Sequence, residues 1–207
     1  MVRTSHPALR RLARSEAVLL VCGLLVATLS SVVMMNMAGA SSMSDPSSSS
    51  PYPAGSPAEF AYLSHQTSNA CGLQTRTVLG YSDSMRLQGS CCNPMDMTKY
   101  QAQVQGLHRY ATIDAIVPDP YDVSVSLAKR LLGYEHSIRL TRAERATFSR
   151  AMNMTADKGP CCCHCWRWHT TTGLAKYLIA NQRFSAPEVA SVTDLVNGCG
   201  GPLDHGT

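Results

Sequence analysis

Aromatic residues are scarce in this 207-residue chain: three Phe, two Trp and eight Tyr make up 6% of it. Charged residues are few as well, at 15%, against roughly 25% in an average soluble domain. Only one long apolar run is present, over residues 17–37, which excludes a polytopic membrane protein. The 44% apolar content excludes a chain disordered throughout. Basic charge is no more than a terminal excess. Arg3, Arg10, Arg11 and Arg14 precede the apolar run, and from residue 41 onward 14 Lys/Arg face 13 Asp/Glu. A nucleic-acid partner therefore has no electrostatic support. No G-x-S-x-G elbow, no internal repeat and no strand–helix alternation of the parallel-sheet kind occurs. Gly198-Cys199-Gly200-Gly201 is not a phosphate loop; its glycines read as a helix C-cap and a turn that frees Cys199 to approach a partner. What the chain has in excess is cysteine, nine in all.

The N-terminus reads as an export signal. Four arginines are followed by AVLLVCGLLVATL over 17–29 and VVMMNM over 32–37, and no charge falls between Glu16 and Asp45. Ala38-Gly39-Ala40 then supplies an A-x-A cleavage pattern. Residues 1–40 are thus a signal peptide, or a signal anchor tying the protein to the membrane if uncleaved, since about 20 apolar residues span a bilayer. Either way the domain that follows is expected outside the cytoplasm. Residues 41–57, SSMSDPSSSSPYPAGSP, have almost nothing to bury and read as a flexible linker.

Residues 58–207 read as a small, mainly α domain. Asn93-Pro94 opens a helical stripe through Met97, Tyr100, Val104 and Leu107. Tyr121 to Leu132 is a shorter candidate closed by Gly133. Thr141-x-x-Glu144 and Ser185-x-x-Glu188 are capping boxes; the first opens a helix to about Met154, the second one to Asn197. A further helix is expected from about Cys165 to Ile179. Thr77–Leu79 and Ile113–Val117 are the isolated strand signals.

Setting Cys22 aside as buried in the apolar run, eight cysteines are exported: Cys71, Cys91, Cys92, Cys161, Cys162, Cys163, Cys165 and Cys199. An even count outside the cytoplasm suggests disulfides. Yet four of the eight stand in GP-CCCHC-WRWH, and neighbouring cysteines are poorly placed to bond one another, so each needs a distant partner or another task. Four long-range bridges, to Cys71, Cys91, Cys92 and Cys199, satisfy the arithmetic. Metal binding is the second reading. Cys161, Cys163 and Cys165 alternate around His164, with Cys91-Cys92 available elsewhere and Cys199 at the edge. Thiolate with imidazole suits zinc; thiolate with thioether suits Cu(I). Met95-x-Met97 follows Cys91-Cys92 and Met152-x-Met154 precedes the main cluster, which favours copper, although methionines on helices usually pack. The third reading is thiol–disulfide exchange through Cys162-Cys163-His164-Cys165 ahead of a helix. Covalent haem is excluded, because Trp166 and not His follows Cys165. Trp166 and Trp168 read as core anchors, and His65, His108, His136, His169 and His205 as scattered surface residues.

Pro160-Cys161-Cys162-Cys163-His164-Cys165 resembles the P-C-x-C-x-C motif of exported bacterial proteins named for their PCYCGC sequence, a family of unassigned function. The match lies at Pro160, Cys161, Cys163 and Cys165, with Cys162 in place of Tyr and His164 in place of Gly. The resemblance implies an exported protein with a cysteine site, and no particular reaction.

The resulting expectation is an exported soft-metal-binding protein, copper ahead of zinc, not marked as an enzyme. Its ligands come from Cys91, Cys92, Cys161, Cys162, Cys163, His164, Cys165 and Cys199. A disulfide-stapled interaction domain and a thiol–disulfide exchanger are the alternatives. Cys91-Cys92 is expected beside the Cys161–Cys165 cluster, with two helix N-termini meeting at the sulfurs.

Overall fold

A computed structural model describes residues 49–202. The apolar run, Cys22, residues 41–48 of the Ser/Pro segment and His205 lie outside the described residues. Among the described residues no helix is long and apolar enough to cross a membrane.

The domain is mainly α, as expected. Helix α1 is Pro57–Ser64, α2 Thr75–Gly80, α3 Met97–Leu107, α4 Val125–Ser137, α5 Arg142–Met154, α6 Trp166–Ala180 and α7 Ala186–Leu195, with a 3-10 turn at His108–Tyr110. Two three-residue strands, β1 Arg86–Gln88 and β2 Asp122–Ser124, pair antiparallel with Leu87 opposite Val123.

Both capping boxes form. Thr141 Oγ1 accepts from the Glu144 N–H while Glu144 returns to the Thr141 N–H, and Ser185 with Glu188 repeats the arrangement. Each box satisfies N–H groups that a helix start would otherwise leave unpaired. α7 ends at Leu195, two residues before the expected stop.

Four local expectations are corrected. The helix after Cys91-Cys92 begins at Met97, with Asp96 as its N-cap accepting from the Lys99 N–H, and not at Asn93-Pro94. Asn93 is engaged elsewhere: its N–H donates to the Cys199 carbonyl. Thr77–Leu79 belongs to α2, because burying Val78 completely outweighs a short β-like composition. Ile113–Val117 is irregular, buried only from Ala115 onward and turned by Ile113 N–H to Tyr110 O and Ile116 N–H to Ile113 O ahead of Pro118 and Pro120. The Tyr121–Leu132 segment starts as β2; Ser124 then caps α4, which runs through the exposed Gly133 to Ser137.

α4 and α6 pack against each other at the centre, contributing Leu131, Leu132, Leu174 and Leu178 to one apolar core. Burying each such side chain stabilises the fold by about 1.5–3 kcal/mol. Gly173 permits their close approach: a Cβ there would stand 1.9 Å from the Leu131 carbonyl oxygen. A second core joins Leu63, Tyr100, Val104 and Tyr121, with the two tyrosine rings edge to face. It reaches back to the end of the Ser/Pro segment, where the Gly55 N–H donates to the Tyr100 hydroxyl at 2.9 Å and Ser56 caps α1.

Candidate metal centre

Four separate pieces of chain deliver the cysteines to one place. Strand β1 continues its ladder through the Gly89 N–H to Tyr121 O, and leads straight into Ser90, Cys91 and Cys92. The 197–201 segment runs alongside: Cys91 N–H donates to Gly198 O at 3.0 Å and Asn93 N–H to Cys199 O at 2.9 Å. Gly200 makes this pairing possible, since its φ of +74° is a left-handed conformation, and a Cβ would stand 2.0 Å from the Asn93 carbonyl oxygen. From the other side, buried Gln103 on α3 donates to the Asn197 carbonyl, and Asn197 Oδ1 accepts from the Cys199 N–H.

Asn69 joins the remaining pieces. Completely buried, it donates from Nδ2 to Gly89 O, two residues before Cys91. Its Oδ1 accepts from Trp166 Nε1 at 3.0 Å and Arg167 Nε at 3.3 Å, just after Cys165. The Trp166 N–H donates to Leu73 O, which draws in the loop carrying Cys71. Cys165 itself is the N-cap of α6, as the cluster's expected position before a helix requires.

The eight cysteines carry free thiols, and their sulfurs meet. Sγ–Sγ separations are 3.1 Å for Cys161–Cys199, 3.5 Å for Cys162–Cys199, 3.6 Å for Cys91–Cys92 and 3.7 Å for Cys92–Cys162. Cys71–Cys163 is 3.8 Å, and Cys91–Cys165 and Cys92–Cys163 are both 3.9 Å. All exceed the roughly 2.05 Å of a disulfide. Cys91, Cys161, Cys165 and Cys199 are buried and form a floor; Cys71, Cys92 and Cys162 are exposed and form a rim, with Cys163 between. A cleft of about 340 Å³ opens beside Cys162 and Cys199, lined also by Lys99, Gln103, Asp157 and Asp194.

Crowding sets the protonation. Cys165 is held well below the usual thiol range because Cys161 and then Cys91 donate hydrogen bonds to it. Those donors are pushed up for the same reason, first by the bond to Cys165. Burial pushes Cys92 up to about 11. A cation entering the centre displaces the protons of the thiols it binds.

Of the expected ligands, all seven cysteines converge. The His164 ring lies edge-on to Trp168, centroids 3.9 Å apart, and joins none of the groups of donors close enough to share an ion. Cys71, not chosen from sequence, does join; only the even count of eight signalled it, because it has no neighbouring cysteine. Asp157 also stands within reach of Cys161 and Cys162. The methionines mostly pack: Met152 is buried in the main core, Met95 and Met97 lie against the tyrosine core, and Met154 is exposed. Arg167 is buried beside the centre, donating to Pro120 O at 2.6 Å, and Trp166 is a core anchor, as expected. His169 pairs with Glu135 at 2.8 Å, away from the sulfurs.

Comparison with known proteins finds no significant match to a protein-family model, to a curated protein or to a solved structure. The functional reading thus stands on the cysteine clusters, which have the donors and spacing to hold a metal ion.

Proposed function

We propose that the protein binds a soft metal ion outside the cytoplasm, copper in preference to zinc, as a sequestering or handling protein. One observation carries the reading: eight free thiols gathered from four chain segments, in groups whose sulfurs all lie within 4.8 Å of one another. Once deprotonated, sulfurs packed this densely repel one another unless they share a cation. A donor set of sulfur with no imidazole favours a soft ion; thiolate takes Zn(II) as well as Cu(I), and the three-sulfur groups suit Cu(I) better than zinc, whose structural sites take four ligands. Export rests on the arginine-flanked apolar run and the A-x-A pattern, and makes the domain either secreted or anchored to the membrane. The exposed rim thiols receive the ion and the buried floor retains it.

Thiol–disulfide exchange has one observation in its favour, the lowered Cys165 at a helix start. In the C-x-x-C frame, however, Cys162 meets Cys92 and Cys199, and Cys165 meets Cys91.

The test is elemental analysis with a thiol count on full-length protein isolated without oxygen. Bound copper, lost when Cys161, Cys163 and Cys165 are all replaced by Ser, supports the reading. A metal-free protein with its cysteines paired as disulfides overturns it.

A further inference from the structure

The eight sulfurs do not divide into separate ligand sets. Cys71, Cys91, Cys92 and Cys163 form one group, Cys92, Cys162 and Cys199 a second, and Cys161, Cys163 and Cys165 a third. Together they use every one of the eight thiols, and two belong twice: Cys92 to the first and second groups, Cys163 to the first and third. Further contacts knit the groups, Cys161 to Cys199 at 3.1 Å and Cys91 to Cys165 at 3.9 Å. A thiolate keeps lone pairs after binding one cation, so a sulfur common to two groups can bridge two ions. The remaining combination, Asp157 with Cys161 and Cys162, contains a carboxylate, a hard donor that a soft ion disfavours.

We propose that the centre is a polynuclear thiolate cluster holding three Cu(I) ions, with Cys92 and Cys163 as bridging ligands; this rests on the metal-binding reading above. Two of the groups have three sulfurs, which satisfy monovalent copper, whereas structural zinc takes four ligands. Each sulfur that binds while still protonated releases its proton to solvent. No electron moves when the metal arrives as Cu(I), so loading needs no oxidant or reductant. Cys92 belongs to the exposed rim and half-buried Cys163 stands between rim and floor, so the shared ligands can pass an ion inward.

The experiment is anaerobic titration of the full-length reduced chain with Cu(I) against a competing Cu(I) chelator, read by native mass spectrometry. The expected end point is three coppers per chain. Shared ligands couple the sites, so empty and fully loaded chains should dominate at half saturation. Cys92→Ser and Cys163→Ser should each lower the capacity to two or fewer, whereas Cys71→Ser, which leaves three sulfurs in its group, should keep three. Saturation at one copper overturns the cluster and leaves the metal-binding reading standing; no retained copper overturns both. Full capacity in the Cys92 and Cys163 variants overturns the bridging assignment. The wild-type end point and loading distribution need no variant, so a poorly folding substitution does not blunt the test.

Discussion

Cys199 Sγ lies 3.1 Å from Cys161 Sγ, the shortest approach among the eight thiols, although the two residues are 38 positions apart in the chain. Both are buried, and with Cys91 and Cys165 they form the floor of a bowl whose rim is Cys71, Cys92 and Cys162. This layering predicts an order of chemical access. A small alkylating reagent should modify the three rim thiols first and Cys91, Cys161, Cys165 and Cys199 last. Prior loading with Cu(I) should protect rim and floor together. Peptide mapping over a time course checks both; uniform modification of all eight in the metal-free protein would contradict the layering.

Asn69 holds the bowl together. Replacing it with Ala removes acceptor and donor atoms from Trp166, Arg167 and the Gly89 carbonyl inside the core. Leaving buried groups unpaired costs about 1–3 kcal/mol. Asn69→Ala should lower stability in denaturant by about 2 kcal/mol and weaken copper retention. Asn69→Ala with full stability would show that the cysteine segments are gathered by something else.

Gly173 tests the central packing independently of the metal. Its added Cβ would meet the Leu131 and Glu135 backbone, which cannot move aside as a flexible side chain does. Gly173→Ala should cost about 3 kcal/mol, at the upper end of overpacking effects. Gly133→Ala, on the exposed face of α4 with open space around it, should be neutral or slightly stabilising. Thermal unfolding of the two variants side by side reads the contrast.

Glu59 introduces a pH dependence away from the thiols. Burial raises its carboxyl to about 7, against a hydrogen bond from Ser50 that lowers it; Asp119 and Asp122 add to the rise and Arg86 opposes it. Asp119 is itself raised by burial. A carboxyl raised in the folded state binds a proton that the unfolded chain has already lost. Stability should therefore decline as pH climbs from about 4.5 to about 7. Glu59→Gln should flatten part of that slope, leaving the share due to Asp119. Identical slopes for wild type and variant, measured by denaturation at constant ionic strength, would contradict this.

The starts of α5 and α7 were the most legible features of the chain, because the reciprocal Thr141/Glu144 and Ser185/Glu188 bonds are local and depend on spacing alone. The position of the CCCHC cluster just ahead of α6 was legible for a similar reason. Helix α2 was not: Gln74 gives it no side-chain cap, and what forms it is the burial of Val78 against the rest of the core. Strands of three residues are too short to show an alternation, so β1 and β2 went unseen while apolar Ile113–Val117 drew the expectation. Helix α3 begins late because Asn93 and Pro94 are engaged with the 199–201 segment, a pairing about a hundred residues distant in sequence. At the site, clustered cysteines announced themselves, whereas Cys71 has no cysteine beside it, and its place depends on Leu73 and Asn69.

X-ray absorption at the copper edge of the Cu(I)-loaded, full-length protein tests the central claim most directly. Sulfur neighbours alone around every copper, with a copper–copper distance visible in the outer shell, is the result expected of thiols that share Cys92 and Cys163. Imidazole or carboxylate scattering as the main shell, or a protein that retains no copper to measure, would contradict it.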